Sequence, residues 1–330
     1  MEWIGKLPDV ESPAWSGLPL TVEKILKERK TDRTLTKLWE LQDTAEEEVS
    51  LDSFSSTKES SSQVQWLRIL GERAGKYLEL LPNEIGRLER TGNSLNNPLF
   101  RFLERETTVA SSLLELVRKN LFEVQQMCEG KINSTNVLKT MAKTLYSENI
   151  PKEWQKFPVV KMNVNDWMLD FKKRLDQFAR LMKEKEYQKK GVWFGGLLFP
   201  EAFLTATRQL VAQDNKWSLD ELQLSVSIND NSPVPEDSFL VSDMTMEGGV
   251  LDNSGSITAS NKISNSLPML RFKWNKFNKD DSTPQNMIKT PVYLNKERRQ
   301  LVFSIHLQMS GLNETVLYQK GLALVAWAND

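Results

Sequence analysis

Apolar residues recur along this chain with two different periods, and the change between them divides it. Up to about residue 215 they return every three or four positions, the spacing of one helix face. Val22, Ile25 and Leu26 predict a short helix over 18–30, and Leu35, Leu38 and Trp39 continue an apolar stripe. Val64, Leu67, Leu70, Ala74, Tyr77, Leu78 and Leu81 mark another helix ending before Pro82, with Ile85 and Leu88 suggesting a short successor. The longest run opens on Asn97-Pro98, a cap followed by a first-position proline. It carries Phe102, Leu103, Val109, Leu113, Leu116, Val117, Leu121, Val124 and Met127 on to Gly130. At 1.5 Å per residue this helix reaches on the order of 45 Å. Val137, Leu138, Met141 and Leu145 predict a further helix before Pro151. Asn165 is placed to cap one that aligns Trp167, Phe171, Leu175, Phe178 and Met182, with a lysine-rich end over 183–190 stopping at Gly191.

The period changes within Val192 to Leu224. Trp193-Phe194 lead into Gly195-Gly196, which permits backbone angles or close approach that side-chained residues resist. Pro200 suits a first helical position, and Glu201 beside it favours the positive end. Phe203, Thr207, Leu210 and Val211 follow at helical spacing, and Ser218-Leu219-Asp220-Glu221 has capping-box spacing. From Leu222 the period is two: Leu222, Leu224, Val226, Ile228, then Leu270, Phe272, Trp274, then Leu301, Phe303, Ile305, Leu307, Met309. Leu322, Leu324 and Ala326 face one way, and Ala323, Val325 and Trp327 the other. About six strands with one apolar face, joined by polar spacers, predict a small antiparallel β-barrel or sandwich. The expected fold is α+β, a helical bundle with one long helix followed by that barrel. Its parts are a helical segment over 1–42, an insertion over 43–62, a helical subdomain over 63–191, a pivot with connecting helix over 192–221, and the barrel over 222–330. Gly195, Gly196 and Pro200 are the candidate hinge.

Composition changes this picture in one place. Residues 43–62 hold Glu46-Glu47-Glu48 and many serines with few apolar groups, too little burial to repay ordering, so they are expected to be a flexible insertion. Elsewhere, 43 basic residues balance 44 acidic ones to a formal charge of −1. That balance supplies no field to attract nucleic acid or an anionic membrane, and neither is expected as a partner. No apolar run approaches the roughly 20 residues that span a bilayer. The single cysteine, Cys128, has no partner for an internal disulfide, which suits a reducing, cytosolic compartment. Trp3, Ile4 and Leu7 come with no polar lead-in, so the sequence reads as the end of a longer polypeptide.

Chemistry is sparse. No Gly-x-x-x-x-Gly-Lys-Ser/Thr loop is present to cradle phosphates; Gly130-Lys131 continues to Ile132 and Gly5-Lys6 to Leu7. One histidine and one cysteine do not assemble a zinc site. His306 shares a strand with Ser304, but no orienting or oxyanion motif accompanies them. Arg101 and Arg105 share a helix face with Glu104 and Glu106 nearby, as local salt bridges or as interdomain contacts. Arg101, Arg105, Glu106 and Arg208 are the candidate interdomain contacts. No catalytic, nucleotide-binding or metal-binding residue and no cofactor is expected.

Several blocks then resemble one family in its own order. Gly-Gly-Leu-x-x-Pro-Glu-Ala-Phe-Leu-Thr-Ala-Thr-Arg-Gln-x-Val-Ala-Gln from Gly195, followed by Trp-Ser-Leu-Asp-Glu-Leu from Trp217, resembles the C-terminal region of cytoplasmic dynein heavy chains. So do Trp15-Ser16-Gly17-Leu18-Pro19, the block from Asn97 to Glu106, Cys128-Glu129-Gly130-Lys131, Pro291-Val292-Tyr293-Leu294 and Lys320-Gly321-Leu322-Ala323. The block over 244–252 matches only in part. The resemblance implies a non-catalytic region that docks on the motor's AAA+ ring and modulates force and processivity in minus-end-directed transport. ATP and Mg would belong to the upstream AAA+ modules. Partners would be that ring and the other dynein subunits, with microtubules met only indirectly, in the cytoplasm on the cytoskeleton. Two other readings stand beside it: a free-standing adaptor binding peptides at a barrel edge, and a hydrolase using His306.

Overall fold

The run that begins at Asn97 folds as one continuous helix, because its apolar stripe and both its ends are specified locally. In the computed structural model, the residues described are 22–35, 61–92, 94–157, 162–183, 186–228, 232–252, 255–258, 260, 262–276, 286–310 and 314–327. The expected insertion over 43–62, apart from Ser61 and Ser62, lies outside them, as do Trp3, Ile4, Leu7, the block Trp15–Pro19, Leu38 and Trp39. The helices are α1 (22–35), α2 (Ser61–Leu80), α3 (Pro98–Cys128), α4 (Asn136–Tyr146), α5 (Val164–Leu181), α6 (Glu186–Lys189), α7 (Pro200–Asn215) and α8 (Glu314–Gln319). The strands are β1 (Val192–Trp193), β2 (Leu222–Ile228), β3 (Ser238–Ser242), β4 (Thr245–Glu247), β5 (Val250–Leu251), β6 (Ile257–Thr258), β7 (Ser264–Ser266), β8 (Leu270–Lys276), β9 (Met287–Tyr293), β10 (Leu301–Gln308) and β11 (Ala323–Val325). Two units result. The described residues of Glu59–Ser242 and Met269–Asp281 form one, and those of Met1–Lys58, Asp243–Pro268 and Ser282–Asp330 the other.

The first unit is built on α3. Asn97 caps it, Oδ1 accepting from the backbone N–H of Leu99 at 2.9 Å and of Phe100 at 3.2 Å, and Pro98 takes the first position. Leu103, Ala110, Leu113, Leu114, Val117, Leu121 and Val124 form its buried stripe, against which α2, α4, α5 and α7 pack. Gly71 lets α2 approach closely, since a Cβ there would lie 3.1 Å from Cys128 Cβ. Arg118 gathers the carbonyls left open at the end of α2, donating to Leu78, Leu81 and Pro82 at 3.1, 3.0 and 3.3 Å. The backbone beyond Pro82 is therefore held without a helix, and Ile85 is buried singly instead of on the short helix expected there.

Local chemistry also moved three ends. Asn163, not Asn165, caps α5, accepting from Asp166 N–H at 2.8 Å. Asn165 instead accepts a hydrogen bond from the Tyr77 hydroxyl of α2. α5 stops at Leu181 with Met182 as its cap, so the lysine-rich end separates as the single turn α6. Ser218–Glu221 makes a 3-10 turn in which the Ser218 hydroxyl forms no capping bond. On α5, Trp167 is fully buried among Trp154, Phe157 and Phe171, with ring centroids at 5.2, 5.7 and 5.0 Å. The sheet of this unit runs β1-β3-β8-β2. β8 pairs antiparallel with both β2 and β3, turning Leu270, Phe272 and Trp274 inward, while β1 adds in parallel to β3.

The second unit holds a five-stranded sheet, β10-β9-β11-β4-β7, and the pair β5-β6. β11 is interior, parallel to β9 and antiparallel to β4, and Ala323, Leu324 and Val325 are buried on both its faces. β10 lies at an edge, and a bulge between Leu301 and Phe303 breaks its alternation, leaving Leu301 half exposed.

These sheets correct the expected small antiparallel β-barrel or sandwich. None closes on itself among the described residues; each runs from one edge strand to another, and two of the pairings are parallel. The period-two segments are strands as expected, but alternation carries no information on partners. β1, β2, β3 and β8 share a unit with α2 to α7, while β4, β7, β9, β10 and β11 form the other sheet.

Replacing Trp167 by Ala removes the centre of the buried aromatic stack and is expected to cost roughly 3–5 kcal/mol of unfolding free energy. Urea denaturation of Trp167→Ala should show the midpoint falling at unchanged slope; an unchanged midpoint would mean the stack is not core.

Candidate functional site

Residues 191–197 are seven consecutive buried positions lying between α6 and α7 in the sequence. A buried connection must have its backbone polar groups answered by something other than water. Here a side chain of α5 answers those of Trp193, and one of α3 those of the two residues that follow the run. Gln177 receives the Trp193 N–H on Oε1 at 2.8 Å and donates from Nε2 to the Trp193 carbonyl at 3.0 Å. Glu106 accepts from Leu198 N–H at 2.9 Å and from Phe199 N–H at 2.6 Å, one on each carboxylate oxygen. Phe199 stands at the cap position of α7, where its side chain supplies no acceptor, so the carboxylate fixes the entry to that helix from a neighbouring one.

The candidate hinge residues sit inside this arrangement. Gly195 and Gly196 lie in a buried 3-10 turn, and a Cβ on Gly196 would overlap the Trp193 ring and approach Gln177 Nε2 to 2.9 Å. Pro200 is buried at the first position of α7. Phe194 meets Phe203, Phe239 and Phe272 at centroid distances of 5.9, 6.3 and 5.9 Å, joining the segment to α7 and the sheet.

Of the candidate contact residues, Arg105 and Glu106 are brought to the same place. Arg105 lies 4.3 Å over the Phe199 ring, while Glu106 holds the backbone beneath it. Glu104, expected nearby, pairs with Arg90 at 2.6 Å. Arg101, one turn earlier on α3, is exposed. Arg208 sits elsewhere on α7, donating to the Leu219 carbonyl and lying 5.8 Å over Trp274, whose Nε1 donates to Thr207 Oγ1 at 3.1 Å.

Arg174, Asp170 and Gln177 were not singled out from the sequence. Arg174 is 2% exposed, pairs with Asp170 at 2.7 Å, and stacks on Phe157 at 4.1 Å and Trp193 at 5.1 Å. The signal was present: Arg174 falls on the helix face of Trp167, Phe171 and Phe178, with an acid one turn earlier. Burial, the largest influence, lowers the Arg174 pKa, opposed by Asp170 and Glu106.

Burial also dominates at Glu106, pushing its pKa from the usual 4.5 up to about 7; the two N–H donors, then Arg174 and Arg105, pull the other way. Its carboxyl therefore holds a proton more tightly in the folded protein than in the unfolded state. Stability from this group is complete below pH 4.5 and is lost as pH rises through about 7.

For group chemistry the described residues offer little. No cluster of three or more His, Cys, Asp or Glu there could hold a metal ion. His306 lies opposite Lys289 in the β10–β9 ladder, and Ser304 is exposed. The Cys128 thiol is pushed up to about 11 by burial and then by Glu129, which keeps it protonated at neutral pH. No described helix is long and apolar enough to cross a membrane.

The pH dependence is directly measurable. Between about pH 4.5 and 7, the stability of the native protein relative to Glu106→Gln should fall by up to roughly 1.4 kcal/mol per pH unit, and level off outside that window. Denaturant midpoints of both proteins across that range decide it; parallel profiles would remove Glu106 as the titrating group.

Comparison of the sequence with known proteins identifies its family. Residues 28–326 match the family model of the C-terminal domain of dynein heavy chains. A cytoplasmic dynein heavy chain of Paramecium tetraurelia is 47% identical over 332 aligned positions covering 98% of this sequence. Those of Caenorhabditis elegans and Dictyostelium discoideum are 33% and 32% identical, over 98% and 100% of it. The 330 residues span 7% of the length of each of these relatives. With a match across nearly its whole extent, the protein belongs to the dynein heavy-chain family, in the C-terminal domain.

Proposed function

We propose that this protein is the non-catalytic C-terminal region of a cytoplasmic dynein motor, acting mechanically on the AAA+ ring of its own heavy chain. The observation that carries this reading is the match over 28–326, with cytoplasmic dynein heavy chains aligned to 98% or more of the sequence. The region docks on the ring, in the cytoplasm and on the microtubule cytoskeleton, and modulates force and processivity. It leaves nucleotide chemistry to the upstream modules.

The joint at Gly195, Gly196 and Pro200 is the part suited to bearing load. Its backbone is held by Gln177 and Glu106, and its side chains interlock with α7 and the β1-β3-β8-β2 sheet. A displacement applied to α3 therefore reaches the sheet without a soft link. Arg101, exposed on α3, is a candidate for contact with a neighbouring module, with Arg105 and Arg208 as further candidates.

Deleting 166–330 from the full heavy chain tests the reading. Stall force or run length on microtubules should change while ATP hydrolysis persists. Unchanged motility, or loss of nucleotide binding by the ring, would refute a purely mechanical role.

A further inference from the structure

An open sheet ends in two edge strands, and their outward backbone groups need an answer. In β1, Gln177 answers both groups of Trp193. β7 has only three residues. β10 carries a bulge between Leu301 and Phe303, and just past its end Ser310 N–H donates to the Ile257 carbonyl at 3.1 Å. β2 has none of these protections. Its seven residues pair with β8 without a register shift, and Leu-Gln-Leu-Ser-Val-Ser-Ile holds neither charge nor proline.

The direction of its free groups follows from its neighbour. β8 lies between β3 and β2, so its residues bond alternately to one side and the other. Trp274 N–H donates to the Asp237 carbonyl at 3.0 Å, just before β3, and so turns away from β2. Leu224, opposite Trp274, therefore sits in a non-hydrogen-bonded pair and directs its own N–H and C=O outward. Val226 and Ile228 follow at period two. At the near end, Leu222 N–H is taken by the Leu219 carbonyl. From Gln223 to Ile228 the bonds of β2 among the described residues all run to β8. The Ser225 hydroxyl is included, accepting from Asn275 Nδ2 at 2.5 Å and donating to the Lys273 carbonyl at 3.4 Å. The backbone of Leu224, Val226 and Ile228 thus presents an open row.

Side chains continue the pattern. The register sets Leu224, Val226 and Ile228 opposite Trp274, Phe272 and Leu270, on the face that β8 buries. Phe272 and Leu270 are fully buried, yet Leu224, Val226 and Ile228 are only half-buried. The apolar layer runs out to this edge and ends there without full cover. Gln223, Ser225 and Ser227 make the other face polar.

We propose that β2 is a self-association edge, pairing antiparallel with β2 of a second copy of this chain. A two-fold axis at Val226 sets Leu224 opposite Ile228 of the second copy and Val226 opposite its own counterpart. Every N–H and C=O of the open row is then answered. The same register sets half-buried aliphatic groups against one another on one face, and Ser225 against Ser227 on the other. Because the strand is uncharged, no like charges meet, and like charge is what ordinarily keeps an edge from pairing with itself. A contact of one strand is small, so the dimer is weak and reversible, with a dissociation constant of about 10–100 μM. This inference stands apart from the mechanical role above.

Sedimentation equilibrium of the 330-residue protein, from about 5 μM to about 500 μM, tests it. The weight-average mass should rise with concentration from 38.0 kDa toward twice that value. Ser225→Glu/Ser227→Glu should weaken association about tenfold, while Ser225→Thr/Ser227→Thr should leave it unchanged. An equimolar mixture of the glutamate pair with Ser225→Lys/Ser227→Lys should associate again, since opposite charges then meet across the two-fold. Thermal melting first establishes that each variant is folded; should the lysine pair not fold, the glutamate and threonine pairs decide. A monomer at every concentration, or association indifferent to charge at 225 and 227, overturns the proposal. So does a monomer that binds a synthetic peptide of the 222–228 sequence, which would make the edge a site for a foreign strand.

Discussion

A carboxylate buried on one helix and bonded to the backbone of a segment 92 residues later is the constraint on which the first unit depends. Glu106 gains two hydrogen bonds and loses its hydration, and loss of hydration is the larger effect on its protonation. It answers the N–H donors of Leu198 and Phe199, which lie in a part-buried segment where an unmet donor costs more than a typical hydrogen bond contributes. It sets where α7 begins relative to α3. Phe102 and Phe203 then meet edge to face at a centroid distance of 5.4 Å.

The surrounding arrangement repeats the logic with different chemistry. Gln177 satisfies both backbone groups of Trp193 with one amide, and Arg174 covers the same ring while paired with Asp170. Gln177 and Glu106 thereby meet the backbone of β1 and of the segment leading into α7. Phe194, Phe239 and Phe272 fill the apolar side of it. In this domain of the dynein heavy-chain family, the segment 193–199 is tied to α5 and α3 by side-chain hydrogen bonds to its backbone.

Helices were legible where their signals lay within a few residues of one another. Asn97-Pro98 and the stripe from Phe102 to Val124 define α3 almost to the residue, and Pro82 ends the α2 region. Caps were less so: Asn163 and Asn165 are equally suited chemically, and only the presence of Tyr77 beside Asn165 separates them. Gly195, Gly196 and Pro200 stood out as a candidate hinge and Arg105 and Glu106 as candidate interdomain contacts, but the bonds from Glu106 to the backbone of Leu198 and Phe199 were not legible. That Glu106 turns inward to the backbone while Glu104 turns outward to Arg90 depends on which helix lies opposite each.

What the sequence determined by itself is the kind of each element, because propensity, capping and period act over one or two turns or over alternate residues. Tertiary structure alone decided which strands share a sheet. β8 inserts between β3 and β2, and β11 between β9 and β4, through hydrogen bonds whose partners lie tens of residues away. Backbone donors and acceptors are alike in every strand, so partner choice follows from how the buried faces fit together and not from the residues of any one segment.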